Sequence, residues 1–464
     1  MRKPSWIGVD LGTQSVRAVR IAASGAVLGR AARPLTSSRP DEVRHEQDPL
    51  DWFAAVDAVL AAVADPSVAG LAICSTSGTV LLTDTTGRPL TQALMYDDAR
   101  ATLELPKVIA ADPARWSTAM QPTWALPKIL TLTPSTPSEW RVAHSADAVA
   151  ADLVGHPVAT DTSHALKTGY DLVARSWPFD AFDRLGLGRE LFPEVVLPGA
   201  ELGRVSAAKA QVTGVPEGTP IYAGMTDGCA AQIAAGALAP GAWNSVLGTT
   251  LVLKGVSKDL LDDPTGAVYS HRHPDGGWLP GGASNTGAGA LSTLLPDADL
   301  DAFDRRARVL GPIDAAVYPL TKRGERFPFV APDATGFELG DLPDDQHRYA
   351  GVLQGVAFIE RLAFEHLVKL GAEPVGSVAL TGGAVRSGYW NQLRADILGV
   401  PVELPATPDP AYGMAILAAS GASVTETAAR MVEIAEVLEP RPSARLEHLY
   451  GEFVAELDRR GYLG

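Results

Sequence analysis

Residues 7–15 of the chain read Ile-Gly-Val-Asp-Leu-Gly-Thr-Gln-Ser, "IGVDLGTQS", an apolar run that ends in the lone carboxylate of Asp10. A glycine turn bearing the hydroxyls of Thr13 and Ser15 follows, and the alternating "VRAVRIA" after it makes a second strand. Gly12 lets the backbone approach a ligand closely. Amides of such a turn, with its two hydroxyls, can donate to phosphate oxygens. Asp10 at the mouth of the hairpin could then hold Mg²⁺, directly or through water, because that cation prefers oxygen ligands and keeps several waters. A glycine turn is also a common structural hairpin, so the rest of the chain decides whether this one is a phosphate site.

Outward from the turn, residues 6–10 and 16–22 are expected as strands, and the turn Ser24-Gly25 leads to a third over 26–32. In "EQDPLDWFAAVDAVLAAVAD", Asp48 is placed as an N-cap and Pro49 at the first helical position. Trp52, Val56, Val59, Leu60 and Val63 recur at three- and four-residue spacing, which buries one face of that helix. A short buried strand, "GLAIC" at 70–74, completes a strand-strand-strand-helix-strand order. The second half repeats the theme. "AWNSVLGTTLVLKGVS" at 242–257 is again strand, Leu-Gly-Thr turn, strand, and a hairpin over 268–279 follows. A long helix over 347–370, a strand over 377–381 and a helix over 388–398 come after it. Two Leu-Gly-Thr hairpins in corresponding places of two halves predict a duplicated α/β fold with a ligand cleft between the halves; two unrelated glycine turns are the plainer alternative.

A chain of 464 residues is too long for one ordinary core, so two domains are expected, over 1–233 and 234–464. Its 39 basic against 54 acidic residues give a net charge of −15, which argues against nucleic-acid or anionic-membrane partners, since both need a basic face. The opening "MRKPSWIGVD" has no apolar core of a signal peptide, and no uncharged apolar run reaches about 18 residues. Cys74 and Cys229 are the only cysteines, so no disulfide framework is implied and a cytoplasmic location is expected. Oligomeric state is not legible.

Further stretches carry chemistry. Gly248, Thr249 and Thr250 can clamp a polyphosphate from another side, but Val246 stands where Asp10 does, so one half alone would hold a metal. "LTGGAVRSGYWNQLRADILGVPVEL" at 380–404 is strand, glycine pair, helix, strand, which lets a ring or ribose lie against backbone; it lacks the G-x-G-x-x-G spacing. In "AGMTDGCAAQIAAGALAPG", Asp227 follows a strand and opens a helix, where it could act as general base toward a hydroxyl or merely cap the helix. Thr76, Ser77 and Thr79, with Asp97, Asp98 and Arg100 of "YDDAR", suit a polyhydroxylated substrate, although Asp98 and Arg100 could be a plain surface pair. No Walker A or zinc spacing occurs, and His164, His271 and His273 form no metal pattern; the last two alternate along a strand and are expected on its solvent face.

Taken together and in order, "DLGTQS", "EQDP", "YDDAR", "GMTDGCAAQIAAGALAPG", "LGTT" and "GGAVRSGYWNQLRADILGVPV" make the chain resemble the FGGY family of carbohydrate kinases over nearly its whole length. That resemblance implies two ribonuclease H-like domains of the actin, hexokinase and Hsp70 superfamily, and ATP with Mg²⁺ as co-substrate and cofactor. It implies Asp227 as the base that deprotonates the terminal sugar hydroxyl and Asp10 as the magnesium-side residue. Thr13, Gln14 and Ser15 match one phosphate loop, and Gly248, Thr249 and Thr250 the other. Gly287, Gly383 and Ser387 match nucleotide-side positions, with Trp390 near the adenine. Ser77, Thr76, Asp98 and Arg17 match the sugar pocket. Gln14 departs from the usual Ser or Thr. "TSGTVLLTD", "HALKTGYD", "TGAVYSHR", "GGASNTGAG" and "YPLTKRGERFPF" are most similar to the cyanobacterial and plant D-ribulose kinase branch. Xylulokinases carry Gln-Met-His-Gly where this chain has Ser75-Thr76-Ser77-Gly78, so their sugar-contacting histidine is missing. The expectation is therefore a D-ribulose kinase, with D-xylulose or another ketose or polyol as the same-class alternative and an ATP-driven sugar-sensing switch as the different-class one.

Overall fold

The structure, a computed structural model, describes residues 3–118, 120–132 and 139–463. These fall into two compact units, and neither is a contiguous half of the chain. The first unit comprises Met1–Ala234 together with His271–Gly276 and Asp409–Val432; the second comprises Ala235–Ser270, Gly277–Pro408 and Glu433–Gly464. A split in sequence at 233/234 therefore misses two segments that pack with the first unit. Among the described residues no helix is long and apolar enough to cross a membrane.

Each unit has one large mixed sheet beside smaller ones, and the two large sheets share a plan. In the first, the strands run in the order Val27–Pro34, Ser15–Ala22, Ser5–Leu11, Val68–Ser75, Pro220–Tyr222, Glu201–Arg204. The first three are antiparallel neighbours, the next two run parallel to Ser5–Leu11, and the last is antiparallel again. The second sheet orders Trp278–Ala283, Leu251–Gly255, Ala242–Leu247, Ser377–Thr381, Val402–Pro405 and Ile434–Leu438 with the same directions, plus one extra edge strand. Six strands in one order, with one pattern of directions, are far more than two unrelated glycine turns would share. The Leu-Gly-Thr turns occupy the same topological place, each joining the central strand to its antiparallel neighbour.

Local chemistry accounts for these elements. The helix Pro49–Val63 starts where the sequence signals it, with Asp48 accepting from the Leu50 N–H at 2.9 Å, and its predicted stripe of Trp52, Val56, Val59, Leu60 and Val63 is buried. That stripe packs into the first unit's core with Ile7, Val9, Leu71 and Ile73. The second unit's core surrounds the long helix Asp345–Lys369, whose Val352, Val356, Ile359, Ala363 and Leu367 are fully buried. His271 and His273 depart from expectation. Both are buried, at 2% and 4% exposure, because their segment packs within the first unit instead of facing solvent. There Asp275 ties down the helix Val424–Met431, accepting from the N–H groups of Val424 and Thr425 and from Ser423 Oγ at 2.8–2.9 Å.

Candidate active site

In the first unit, Asp10 lies near the end of its strand, opposite Arg17 on one side and Cys74 on the other. Its carboxylate is 5% exposed, 3.7 Å from Arg17 Nη1 and within 3.6 Å of the Cys74 thiol. Burial, then the neighbouring carboxylates of Asp227 and Asp409, push Asp10 up to about 7, against the opposing pull of Arg17 and Cys74. Nothing local in the sequence links Asp10 to Asp227, whose charge it feels in the fold. Asp227 is half-buried at the first position of the helix Asp227–Ala234, where its Oδ1 accepts from the Gly228 N–H at 2.7 Å.

Asp409 does not stand out in the sequence. It caps the helix Pro410–Ala419, accepting from the Ala411 N–H at 3.0 Å. "DPAYG" carries the same Asp-Pro start signal as "DPLDW" at 48–52, and that signal was there to be found. Both cysteines are buried; burial and then the Asp10 charge raise the Cys74 thiol well above its ordinary value, which keeps it a neutral donor.

The turn at 12–15 is braced from behind. Gly12 N–H donates to the Ser15 carbonyl at 3.1 Å, and the Gln14 carbonyl accepts from the Leu35 N–H at 2.9 Å; Gln14 itself is exposed. Gln47, 3% exposed, donates to the Thr13 carbonyl at 2.6 Å and to Ser37 Oγ at 2.8 Å, while its own oxygen accepts from the Trp52 indole at 2.7 Å. One buried amide thus joins the turn to the first helix. Its neighbour Glu46 pairs with Arg100 at 2.7 Å, so "EQ" connects the turn to the "YDDAR" loop.

That loop differs from its expected use. Asp98 is fully buried, and both of its oxygens are taken by Arg100 and the His45 N–H at 2.7–3.1 Å. It is neither a surface pair nor a free sugar contact; it shapes the loop. Near the turn at 76–79, Thr76 and Thr79 share a 2.6 Å hydrogen bond, and Lys167 donates to the Ser77 carbonyl at 3.1 Å. Ser77 Oγ is buried with no hydrogen-bond partner among the described residues. Lys128, fully buried and pushed down to about 7 by burial and then by Lys167, donates to the Met95 carbonyl just ahead of "YDDAR".

In the second unit, two stretches converge on the turn at 247–250. A Cβ on Gly287 would come within 2.5 Å of the Thr249 carbonyl and the Thr250 Cα. Gly382, at φ +91°, would meet the Leu247 carbonyl at 2.6 Å. Gly383 beside it faces open space, and Thr249 is exposed. Glu325, within "YPLTKRGERFPF", is a buried carboxylate that accepts from Ser284 Oγ, the Asn285 N–H, Thr286 Oγ and the Tyr318 hydroxyl, and so holds the loop that carries Gly287. Two expected nucleotide contacts are spoken for elsewhere. Ser387 Oγ donates to Asp304 and accepts from the Trp390 N–H as an N-cap. Trp390 is 2% exposed, packed in the core, with its indole N–H on the Leu353 carbonyl at 3.1 Å, so it offers no face to an adenine.

Comparison with known proteins bears on this geometry. The chain is 28% identical to xylulose kinase from Escherichia coli (strain K12) over 438 residues, covering 89% of each. It is 23% identical to a gluconokinase from Bacillus licheniformis over 429 residues, covering 86% of this chain and 84% of that one. A crystal structure of a "xyloylose kinase" from Brucella ovis superposes with a TM-score of 0.89 at 26% identity, over 98% of this chain and 99% of that one. The models for the N-terminal and C-terminal domains of the FGGY family of carbohydrate kinases match residues 5–234 and 243–422. With both domain models matched in order, and with carboxylates and glycine turns placed as described, the chain belongs to the FGGY family of carbohydrate kinases.

Proposed function

We propose that this ATP-dependent sugar kinase phosphorylates the terminal hydroxyl of a ketopentose, with Asp227 as general base and Asp10 as the magnesium-side carboxylate. The observation that carries the reading is a carboxylate at the mouth of the glycine turn, Asp10, that is 5% exposed and raised to about 7 by burial and then by the charges of Asp227 and Asp409. Asp227 takes the hydroxyl proton, the sugar oxygen attacks the γ-phosphorus, and ADP leaves; positioning and charge neutralisation do most of the work in such a reaction. In the first unit Thr13, Gln14 and Ser15 form the phosphate turn; in the second unit Gly248, Thr249 and Thr250 form its counterpart, where Gly287 and Gly383 give backbone access. Arg17, 3.7 Å from Asp10, serves the sugar side.

A divalent cation fits this set. Asp10 is held among carboxylates that raise it, and a cation there would relieve that repulsion. Among the described residues no three His, Cys, Asp or Glu form a metal cage. That suits Mg²⁺, which takes one or two carboxylates plus phosphate oxygens and water. When bound, it would supply neutralisation of the charge on the transferring phosphoryl group.

The sugar is assigned to D-xylulose first, because xylulose kinases recur among the most similar relatives, including a structure. D-ribulose is the second assignment. It is favoured by Ser77, whose buried hydroxyl has no hydrogen-bond partner among the described residues and stands where xylulokinases have their histidine. A coupled ADP-release panel of D-xylulose, D-ribulose, ribitol, D-gluconate and glycerol tests this, with D-xylulose expected to give the highest kcat/KM. A clear preference for D-ribulose would transfer the assignment to the Ser77 argument, and turnover of gluconate or polyols without either ketopentose would sink it.

Gln47 offers a separate check on the phosphate turn. In Gln47→Ala the Thr13 carbonyl and the buried Trp52 indole each lose a partner, which costs about 2 kcal/mol or more. Thermal unfolding should show that loss, and KM for ATP should rise several-fold while KM for sugar holds. An unchanged KM for ATP in a destabilised variant would mean that Gln47 serves the fold alone.

A further inference from the structure

In the second unit, Glu325 is 3% exposed, and its two carboxylate oxygens take five donors, none of them a charged group. Oε1 accepts from the backbone N–H groups of Asn285 and Arg326 at 2.7 and 2.9 Å. Oε2 accepts from the hydroxyls of Ser284, Tyr318 and Thr286 at 2.9, 3.1 and 3.2 Å. The backbone of Glu325 is itself pinned by a reciprocal pair of hydrogen bonds with Ala331, at 2.9 and 3.0 Å. Asn285 Nδ2 adds a bond to the Gly324 carbonyl at 2.9 Å. One side chain thus fastens residues 284–286 to an anchored segment.

The loop over 284–289 is zipped in turn onto residues 248–251. The Ser284 N–H donates to the Leu251 carbonyl at 2.9 Å, and the Leu251 N–H to the Thr286 carbonyl at 2.8 Å. The N–H groups of Ala288 and Gly289 donate to the carbonyls of Gly248 and Thr249 at 2.9 and 3.1 Å. No slack separates loop from turn, since a Cβ on Gly287 or Gly289 would stand 2.5 or 2.6 Å from atoms of Thr249. A trans peptide sets its N–H opposite its carbonyl. With the Gly248 and Thr249 carbonyls turned toward the loop, the N–H groups of Thr249 and Thr250 point away from it. Thr249 is exposed, and a Cβ on Gly248 would meet nothing within 4 Å, so the turn has an open side. Two successive N–H groups aimed outward make a cradle for an anion.

We propose that Glu325 is a positioning residue for ATP. Through the loop 284–289 it holds the Gly248 and Thr249 carbonyls, and so keeps the Thr249 and Thr250 N–H groups turned out toward a phosphate. The inference rests on the turn at 248–250 being a phosphate site. A carboxylate suits position 325 because it can accept at both oxygens. Glutamine there keeps the size and one oxygen. Backbone N–H groups cannot turn, so that oxygen stays with Asn285 and Arg326, and the amide N–H₂ faces the three hydroxyls. Their hydrogens then lose their acceptor, which loosens Ser284 and Thr286 from the anchor.

The test is calorimetric binding of ATP and of adenosine to full-length wild type, Glu325→Gln, Thr286→Val, Gly287→Ala and Tyr450→Phe, with Tm and KM for sugar measured on each. Glu325→Gln should weaken ATP binding about 10-fold or more and leave adenosine binding and KM for sugar unchanged, because only the phosphate donors move. Thr286→Val removes one anchoring bond at nearly constant shape and should weaken ATP binding about threefold. Gly287→Ala pushes directly on the turn and should weaken it most. Tyr450→Phe loses the 2.6 Å bond to Glu365 in the same unit, and should lower Tm with ATP affinity intact. Equal losses for ATP and adenosine in Glu325→Gln, or no loss of ATP affinity while Gly287→Ala shows one, overturn this inference alone. So does a matching loss in Tyr450→Phe, which would mean that ATP affinity merely follows stability. Should the glutamine variant fail to fold, wild-type ATP affinity in Thr286→Val overturns the proposal. Wild-type ATP affinity in Gly287→Ala overturns the reading of the turn as a phosphate site instead.

Discussion

Asp227→Asn is expected to lower sugar-dependent ADP release by about 10³-fold at saturating substrates, with ATP affinity unchanged. The substitution is isosteric and keeps an oxygen for the Gly228 N–H, so the start of the helix Asp227–Ala234 survives and the protein should fold normally. What it removes is the proton acceptor and one of the carboxylates that raise Asp10. Asp10 should therefore ionise at lower pH in the variant. Two readouts thus move in opposite senses. The chemical step collapses, while the carboxylate at the phosphate turn, relieved of a neighbouring charge, binds a divalent cation at lower pH than in wild type. Single-turnover kinetics and equilibrium ATP binding separate the effects. Sugar-dependent turnover within tenfold of wild type would remove Asp227 from the chemistry. Loss of ATP binding in step with turnover would show a structural defect instead.

How much of this was legible in the sequence depended on the range of the interaction. Both Leu-Gly-Thr hairpins, the Asp48-Pro49 helix start and the long buried helix were visible because each is written in a few adjacent residues. The duplication was visible because two local patterns repeated. Contacts that fold back across the chain were not visible. Gln47 looked like part of a helix-start signal, and nothing adjacent says that its amide reaches Thr13. His271 and His273 alternate as solvent-face residues would, but the packing of their segment with the first unit decides their burial. Trp390 sits beside a plausible nucleotide loop, yet helix phase turns it into the core. Asp98 and Ser387 lie in the expected loops but serve a different purpose, because their hydrogen-bonding capacity is already used by the protein. Motifs thus bring candidate residues together, and only the hydrogen-bond inventory separates those with free bonding capacity from those that hold the others still.

The segment Asp409–Val432 makes the second large effect predictable. Its helix Pro410–Ala419 lies against the strand of Asp10 and the helix of Asp227, and glycines permit backbone contact at each face. A Cβ on Gly8 would stand 1.8 Å from the Ala411 carbonyl oxygen and 2.3 Å from the Ala415 nitrogen. A Cβ on Gly413 would stand 2.1 Å from the carbonyl oxygen of Ala230, a residue of the helix that Asp227 opens. This helix is the spacer that sets how far Asp227 stands from Asp10. In Gly413→Ala two effects oppose each other. Alanine in a helix interior gains about 1 kcal/mol of propensity over glycine. The clash is with backbone, which cannot rotate away, so the two helices must part by about 1 Å, at a cost of about 1–3 kcal/mol or more. The clash wins. Tm should fall, and because about 1 Å of misplacement at a reacting centre costs on the order of 100-fold, kcat should drop by that order with KM for ATP little changed. Gly451→Ala supplies the contrast. It lies on an exposed part of the helix Ala444–Arg459 with nothing within 4 Å of the added carbon, so the propensity gain stands alone and Tm should hold or rise with kcat intact. Wild-type Tm and kcat in Gly413→Ala would mean the contact yields freely, and the helix could then not be what fixes the distance between the two carboxylates.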